Sequence, residues 1–520
     1  MFIREKTVQG RTYLQVVENY REGAKLRQRV IATLGRKEEL SASGQIEGVL
    51  KSLSRFSDRV RVTEDFREGK LEAKKAVKIG PDLVCARLWS ELGCDAAIAK
   101  LLSGRKYAFS VERAVYAAVL ARLFFPGSDR FAERQARDFR ISEAEGISLH
   151  HLYRAMAWPG ENREGMEEEL FFRNRDLFCS LSVVFFCTTS LCFEGRGGEA
   201  LGQRGYPKDR RPDENRMVVG VVMDGAERPI SCPMWPGNTA DAATILPVAA
   251  ALRERFGVSD ICIVADRGMV GAQNAKKLTD MGFPYILGAG MRLEKRAMAE
   301  ALSRAGRYRE VSGNLKVKEV AHEGKRYVVC VNPSEAVHDR AAREAIVSDL
   351  QEKLKRGASS LIGNSGYRRY LQLGQKPEID WERVKTEECY DGRWVLTTTA
   401  DLSAEEVALK YKELWRVERV FREAKDTLAT RPIYHKYDST ISGHVFCSFL
   451  ALLIMHELKR RVDFPCEWRQ LKQDLEAVYE IEVADGGKRW LLRSPLEGVA
   501  GKVFKAAGVA VPPSARMAQL

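Results

Sequence analysis

The chain predicts an α/β fold, a mixed sheet flanked by helices, and three stretches carry that prediction. Residues 181–290 alternate strand and helix. LSVVFFCTTSLCF, MVVGVVMD and RPISCPMW read as hairpin-like strands, and DICIVADRG and PYILGAG as later strands, each preceded by a helical pattern (about Ala240 to Phe256, then GAQNAKKLTDMG). After a long interruption GRWVLTTTA returns as a strand, and it feeds a helix running from Ser403 to about Leu428. Hairpin strands first and strand-helix-strand crossovers afterwards build a mixed sheet with helices on its faces.

The remaining elements fall around that sheet. The opening stretch, FIREKTVQGRTYLQVVENYREGAKLRQRVIATLGR, reads as three short strands turning at Gln9-Gly10 and Glu22-Gly23-Ala24. Residues 1–80 hold 18 Lys/Arg against 11 Asp/Glu, more than half of the net +13 of the 520-residue chain. This basic β-rich module suits phosphate contacts, and equally a solvated surface. Residues 81–180 are helical, with LVCARLWSELGCDAAIAKLL and SVERAVYAAVLARLFF the clearest patterns, and could present a helix to DNA or scaffold the next domain. The stretch 291–393 is too long for a loop and reads as an inserted α+β subdomain. Residues 394–460 complete the sheet domain, ending in the apolar helix SGHVFCSFLALLIMHELKRR, and 461–520 form a mixed tail.

Composition excludes some classes. The 11 cysteines include no CxxC pair and no Cys/His cluster at zinc spacing. Cys187 and Cys192 have opposite parity in one strand, hence opposite faces. No leader opens the chain, and the apolar run Val445 to Met455 is short of the roughly 20 residues of a membrane span. The expectation is a soluble cytoplasmic protein without a membrane partner.

The helix from Ser403 carries the chemistry. Ser403 and Glu406 form a capping box, and Pro432 follows its end. Val407, Tyr411, Leu414, Glu418, Phe421, Lys425 and Leu428 recur at steps of four and three, so they share one face that should pack inward. Two of them are charged, and a buried unpaired ion costs several kcal/mol. The stripe therefore implies compensation by a snorkelling pair, a metal or a bound polyanion. Asp266 ends the apolar strand ICIVAD and should point into the crevice at the strands' carboxyl ends, where α/β sheets bind ligands; a turn or capping Asp is the plain alternative.

The spacing in YKELWRVERVFREAK, Tyr411 then Glu418 then Lys425, resembles the signature of bacterial insertion-sequence transposases of the DDE class, the group with a Tyr-Arg-Glu-Lys signature. Leu414 occupies the signature's Arg position. GYPKDRRPD (205–213), PGNTAD (236–241), VADRGM (264–269) and RPIYH (431–435) resemble the family's other blocks in order. The resemblance implies a ribonuclease H-like fold, with Asp266 and Glu418 as two of three carboxylates that hold two Mg²⁺ ions, Mn²⁺ being an alternative. It places Cys187, in VVFFCTTSLCFE, where the family has its first Asp. Asp176 and Glu194 flank that strand but do not match the position. By resemblance Tyr411, Lys425, Arg431 and His435 face DNA; Arg416, Arg419, Arg422 and Lys436 either follow its backbone or are surface charge, and Trp381 and Trp394 either pack or stack on an unpaired base.

The function implied is cut-and-paste transposition: binding of terminal inverted repeats in double-stranded DNA, cleavage, and strand transfer to target DNA, by a homo-oligomer on paired ends. A thiol is a soft, single-atom donor poorly suited to Mg²⁺. Cys187 therefore also admits a catalytically inactive, transposase-derived DNA-binding protein. A nuclease without strand transfer is the third reading.

Overall fold

The structure is a computed structural model that describes the chain except residues 23–24, 55, 58–64, 66–72, 145, 175–181, 196, 206–213, 260, 270, 292–299, 305, 357–368, 373–376, 486–487 and 519–520. Asp176 and most of the 205–213 block therefore lie outside the described residues.

At the N-terminus β1 (Phe2–Val8), β2 (Arg11–Glu22) and β3 (Lys25–Arg36) form an antiparallel meander, with strands longer than the sequence suggests. Gln9 and Gly10 turn the first hairpin with φ of 49° and 74°, the paired positive values of a two-residue turn that matches strand twist. Among the described residues two short helices follow, and then β4 (Ala73–Lys78). From Gly80 to Arg173 the described chain is helical, as the apolar periodicity predicts, and Ser110 and Ser128 cap two of these helices through their hydroxyls.

The central sheet begins with β5 (Val183–Cys192), β6 (Arg216–Asp224), β7 (Pro229–Ser231) and β8 (Met234–Pro236). Pro233, which has no N–H to give a ladder, divides the predicted third strand into β7 and β8. The helix Ile245–Glu254 leads to β9 (Cys262–Ala265), and the helix Ala272–Asp280 to β10 (Tyr285–Gly288). β5 pairs antiparallel with β6 and parallel with β9, and β9 parallel with β10. The order β7-β6-β5-β9-β10, three antiparallel strands followed by two parallel ones, is that of the ribonuclease H-like fold. Alternation along β5 separates the layers: Val183 and Phe185 enter the core beneath the helical segment, and Val184 and Phe186 the core beneath Ile245–Glu254.

The segment read as an inserted subdomain extends this sheet. β11 (Arg309–Ser312), β12 (Leu315–His322) and β13 (Lys325–Val331) come first; the helix Pro333–Arg356 and a ribbon of β14 (Leu371–Gln372) and β15 (Glu378–Ile379) lie apart from the sheet; and β16 (Arg393–Thr398) then inserts between β13 and β10. The backbone edge of β16 that β10 leaves open is satisfied by β13, which makes a ten-stranded sheet. The stretch 461–520, expected as a mixed tail, contributes to a second sheet. β17 (Tyr479–Asp485), β18 (Lys488–Arg493) and β19 (Ala515–Met517) pair in the order β19-β18-β17-β4, joining the end of the chain to residues 73–78.

The helix Asp438–Arg461 crosses the core. Among the described residues it is the one helix long and apolar enough to span a membrane by length and composition, and 83% of its apolar window is buried inside the protein. A Cβ on Gly443 would stand 1.7 Å from the Met156 carbonyl oxygen, and one on Gly160 2.1 Å from that of Ser439. The two glycines thus let this helix touch Leu149–Glu161 backbone to backbone. The helix also carries two enclosed imidazoles, His444 buried and His456 half-buried. Arg122 Nη2 donates to His444 Nδ1 at 2.8 Å, which leaves Nε2 to donate to the Thr430 carbonyl at 3.1 Å and keeps the ring neutral. Burial pushes the His456 pKa down to about 4. A depressed imidazole stabilises the fold fully above its unfolded value near 6.5, and that contribution is lost as pH falls toward 4. Between pH 7 and pH 5 the loss from His456 alone is expected to be about 2 kcal/mol. Buried Glu167 and Asp224, whose pKa values are raised, act in the opposite direction. Urea unfolding of wild type and His456→Asn at both pH values isolates the imidazole; equal pH slopes for the two proteins would refute the assignment.

Candidate active site

The site begins at the carboxyl end of β9. The parallel register pairs Phe186 with Ala265, so the next residue on each strand, Cys187 and Asp266, are neighbours. By alternation both lie on the side of the sheet that carries the signature helix. Cys187 is partly exposed between the two cores, its Sγ 3.7 Å from the Thr188 carbonyl oxygen. Asp266 turns into a short 3₁₀ helix, its carbonyl accepting from Met269 N at 3.0 Å.

The capping box at Ser403 forms as the sequence predicts: Ser403 Oγ accepts from Glu406 N at 3.2 Å, and Glu406 Oε2 accepts from Ser403 N at 2.8 Å. The helix it starts runs Ala404–Lys412 and carries Tyr411, whose hydroxyl donates to Asp266 Oδ1 at 3.1 Å.

Beyond Lys412 the predicted single helix breaks. It resumes as Trp415–Arg422 and ends in a π-helical turn, Glu423–Thr427. The break alters the phase of the stripe. Val407, Leu414, Phe421 and Leu428 are buried, Tyr411 and Lys425 half-buried, and Glu418 exposed. The inward-facing ion read from periodicity is thus a rim carboxylate, and no large desolvation opposes it. Among the described residues Glu418 has no hydrogen bond or ion pair. The helix that carries it packs on β5 through its other side.

The basic residues divide. Lys425 borders a small cavity with Thr189 and Leu191 of β5. Arg431 borders a cleft of about 460 Å³ with Ser190, Glu194 and Arg216, and pairs with Asp426 at 3.8 Å. Arg416 and Arg419 both reach Glu227 in the β6–β7 turn, and Arg416 also donates to the Gly225 carbonyl at 3.1 Å; they pin the helix to the sheet. His435, expected at the DNA, turns inward: its Nε2 is 3.6 Å from Asp129 Oδ2, its ring lies edge-on to His444, and burial lowers its pKa. A neutral, enclosed imidazole is a poor phosphate contact. Trp381 is 56% exposed, whereas Trp394 is partly buried in β16.

One carboxylate escaped the sequence reading. Asp241, the last residue of PGNTAD, accepts from Thr188 Oγ1 at 2.7 Å, and its Oδ2 lies 3.7 Å from a Cβ built on Gly268. Thr188 has the parity opposite to Cys187, so this contact braces the strand ends from the other face. The signal was present, since PGNTAD is one of the ordered blocks.

Asp266 and Glu418 fit a hard divalent ion in kind, as carboxylates at the open end of the sheet, and the Cys187 thiol does not. Among the described residues no three Asp, Glu, His or Cys groups gather closely enough to hold a metal ion.

Comparison with known proteins gives the family. The sequence model of the transposase DDE domain matches residues 189–454, just over half of the chain, and that of the IS1634 family transposase N-terminal domain matches residues 3–66. No curated protein sequence matches. Among solved structures, a piggyBac transposase synaptic complex with hairpin DNA is similar at 11% identity over 76% of this chain and 79% of that one, with a TM-score of 0.36. A Mos1 transposase paired-end complex with the left transposon end is similar at 15% identity over 37% and 57%, with a TM-score of 0.15. With the DDE domain model spanning the strands that carry Asp266 and the helices that carry Tyr411 and Glu418, the chain belongs to the DDE transposases of insertion sequences.

Proposed function

We propose that the protein binds the ends of its own element in double-stranded DNA and cuts and rejoins them, with Asp266 and Glu418 as catalytic carboxylates and Cys187 at the position of the family's first Asp. The observation that supports this most directly is the Asp266 carboxylate, held by the Tyr411 hydroxyl beside Cys187 at the open end of a ribonuclease H-like sheet. Mg²⁺ held by Asp266 and Glu418 would supply activation of water, and then of a 3′ hydroxyl, for phosphodiester exchange. The chain's own contribution is to orient Asp266 through Tyr411, to leave Glu418 unpaired at the rim, and to offer Lys425 and Arg431 to the phosphates of a DNA end. Action on two paired ends makes a homo-oligomer the working form, and the cell interior the compartment.

Cys187 favours a second reading, in which the protein occupies element ends without cutting them. The two readings share binding and differ in cleavage. Asp266→Asn and Glu418→Gln, each introduced beside Cys187→Asp, are expected to lower end cleavage by at least a hundredfold while leaving duplex binding within about twofold, the pattern of lost transition-state contacts. Retained cleavage in either variant would remove that carboxylate from the site.

A further inference from the structure

The N-terminal meander has two chemically different faces. Register places Phe2, Arg4 and Lys6 of β1 on one face with Val17, Gln15 and Tyr13 of β2, and these with Val30, Thr33 and Arg36 of β3. Ile3, Glu5, Leu14, Val16 and Glu18 fall on the other. That second face is covered at one end: Leu40 of the following helix lies 3.3 Å from a Cβ built on Gly35, and Lys37 of the same helix pairs with Glu5 at 2.6 Å. Glu18 is likewise neutralised by Arg29 at 2.8 Å. The strands' described carboxylates are therefore on the covered face and already paired. On the other face, left open except at Val17, which is fully buried beside its register neighbours Phe2 and Val30, the described strand residues include Arg4, Lys6, Arg11, Arg21 and Arg36, the last paired with Glu39 at 2.8 Å, and no Asp or Glu.

Between those cations the open face carries amides and a hydroxyl held in one network. Arg4 donates to Gln15 Oε1 at 3.3 Å and to Gln28 Oε1 at 3.1 Å, and Gln15 Nε2 donates to Thr33 Oγ1 at 3.3 Å. A buried polar network would serve a core, but this one is at the surface. Guanidinium and amide forks are the side chains that read guanine and adenine edges in the major groove. Three strands about 4.8 Å apart span about 10 Å, within a major groove about 12 Å wide.

We propose that this face is a sequence-reading surface for duplex DNA, with Arg4, Gln15, Gln28 and Thr33 turned to base edges and the flanking cations to phosphates. This rests on the transposase reading and names the part of the chain that recognises the element's own ends.

The test uses the full chain and two duplexes, one cut from an end of the element and one shuffled to the same composition, with affinity measured by fluorescence anisotropy. Wild type should prefer the end duplex. Arg4→Lys, which keeps the charge and loses the fork, and Gln28→Ala should each reduce that preference about tenfold while leaving affinity for the shuffled duplex unchanged. Arg29→Ala, on the covered face, should do neither. Circular dichroism melting confirms that each variant is folded. If wild type prefers its end and the open-face variants keep that preference, the surface assignment is overturned and the transposase reading stands. If the variants instead change self-association of the DNA-free protein, the face is a contact between copies and the assignment is also overturned. If wild type binds neither duplex, the transposase reading falls with it.

Discussion

Replacing Cys187 by Asp is expected to raise Mg²⁺-dependent cleavage of the element's ends by about a thousandfold, the rate equivalent of the several kcal/mol an oxygen ligand contributes in phosphodiester chemistry. The reason is positional. Cys187 is the register neighbour of Asp266 and shares its side of the sheet, so a carboxylate there completes a set of oxygen donors that a thiol leaves incomplete. Because a thiolate accepts softer ions, Mn²⁺ should recover part of the activity in the unsubstituted protein. A readout independent of cleavage accompanies this. The new carboxylate beside Asp266 should make the melting temperature respond to Mg²⁺, since an ion that binds only the folded state stabilises it, whereas the Cys187 protein should respond weakly. If the unsubstituted chain already cuts at full rate in Mg²⁺ and the variant adds nothing, another residue supplies the third ligand and the second reading under Proposed function also loses its basis.

The sheet was legible because its strands are buried on both faces and read as unbroken apolar runs, and because Asp266 and Ser403 mark ends by local chemistry. The ten-stranded extent was not. β11 and β12 mix polar and apolar residues and β13 ends in the apolar run Tyr327–Val331, a combination that suits a small separate sheet equally well, and only the edge of β16 decides the matter. The pairing of β4 with β17 links residues 400 positions apart, and no local pattern encodes such a partner.

At the site, periodicity placed Tyr411 on the face that meets Asp266, but it assumed a straight helix through Glu418. The break between Lys412 and Trp415 has no Gly or Pro to announce it. Past it, Val417, Val420 and Phe421 bury against the sheet, and Glu418 is carried to the rim. His435 misled for a different reason. A histidine among basic residues suggests phosphate contact, and its partner Asp129 lies in a helix some 300 residues earlier, where sequence cannot connect them.

Binding of the full chain to duplex DNA should weaken roughly a thousandfold between 50 and 200 mM salt, as release of counterions from about six neutralised phosphates requires. The net charge is +13, with most of the excess in the first 80 residues. The structure sharpens where the slope originates. Arg416 and Arg419 are engaged by Glu227, and His435 is enclosed beside Asp129, so the signature helix has less free charge than its sequence suggests. Arg416→Ala should leave the salt slope unchanged. Lys6→Ala and Arg21→Ala, on the open face of the N-terminal meander, should each lower it by about one unit in log affinity per log salt, the loss of a single phosphate contact. Binding that is flat across this salt range would remove the phosphate backbone from the argument. A slope carried by Arg416 rather than by Lys6 and Arg21 would move the principal DNA contact from the N-terminal sheet to the signature helix.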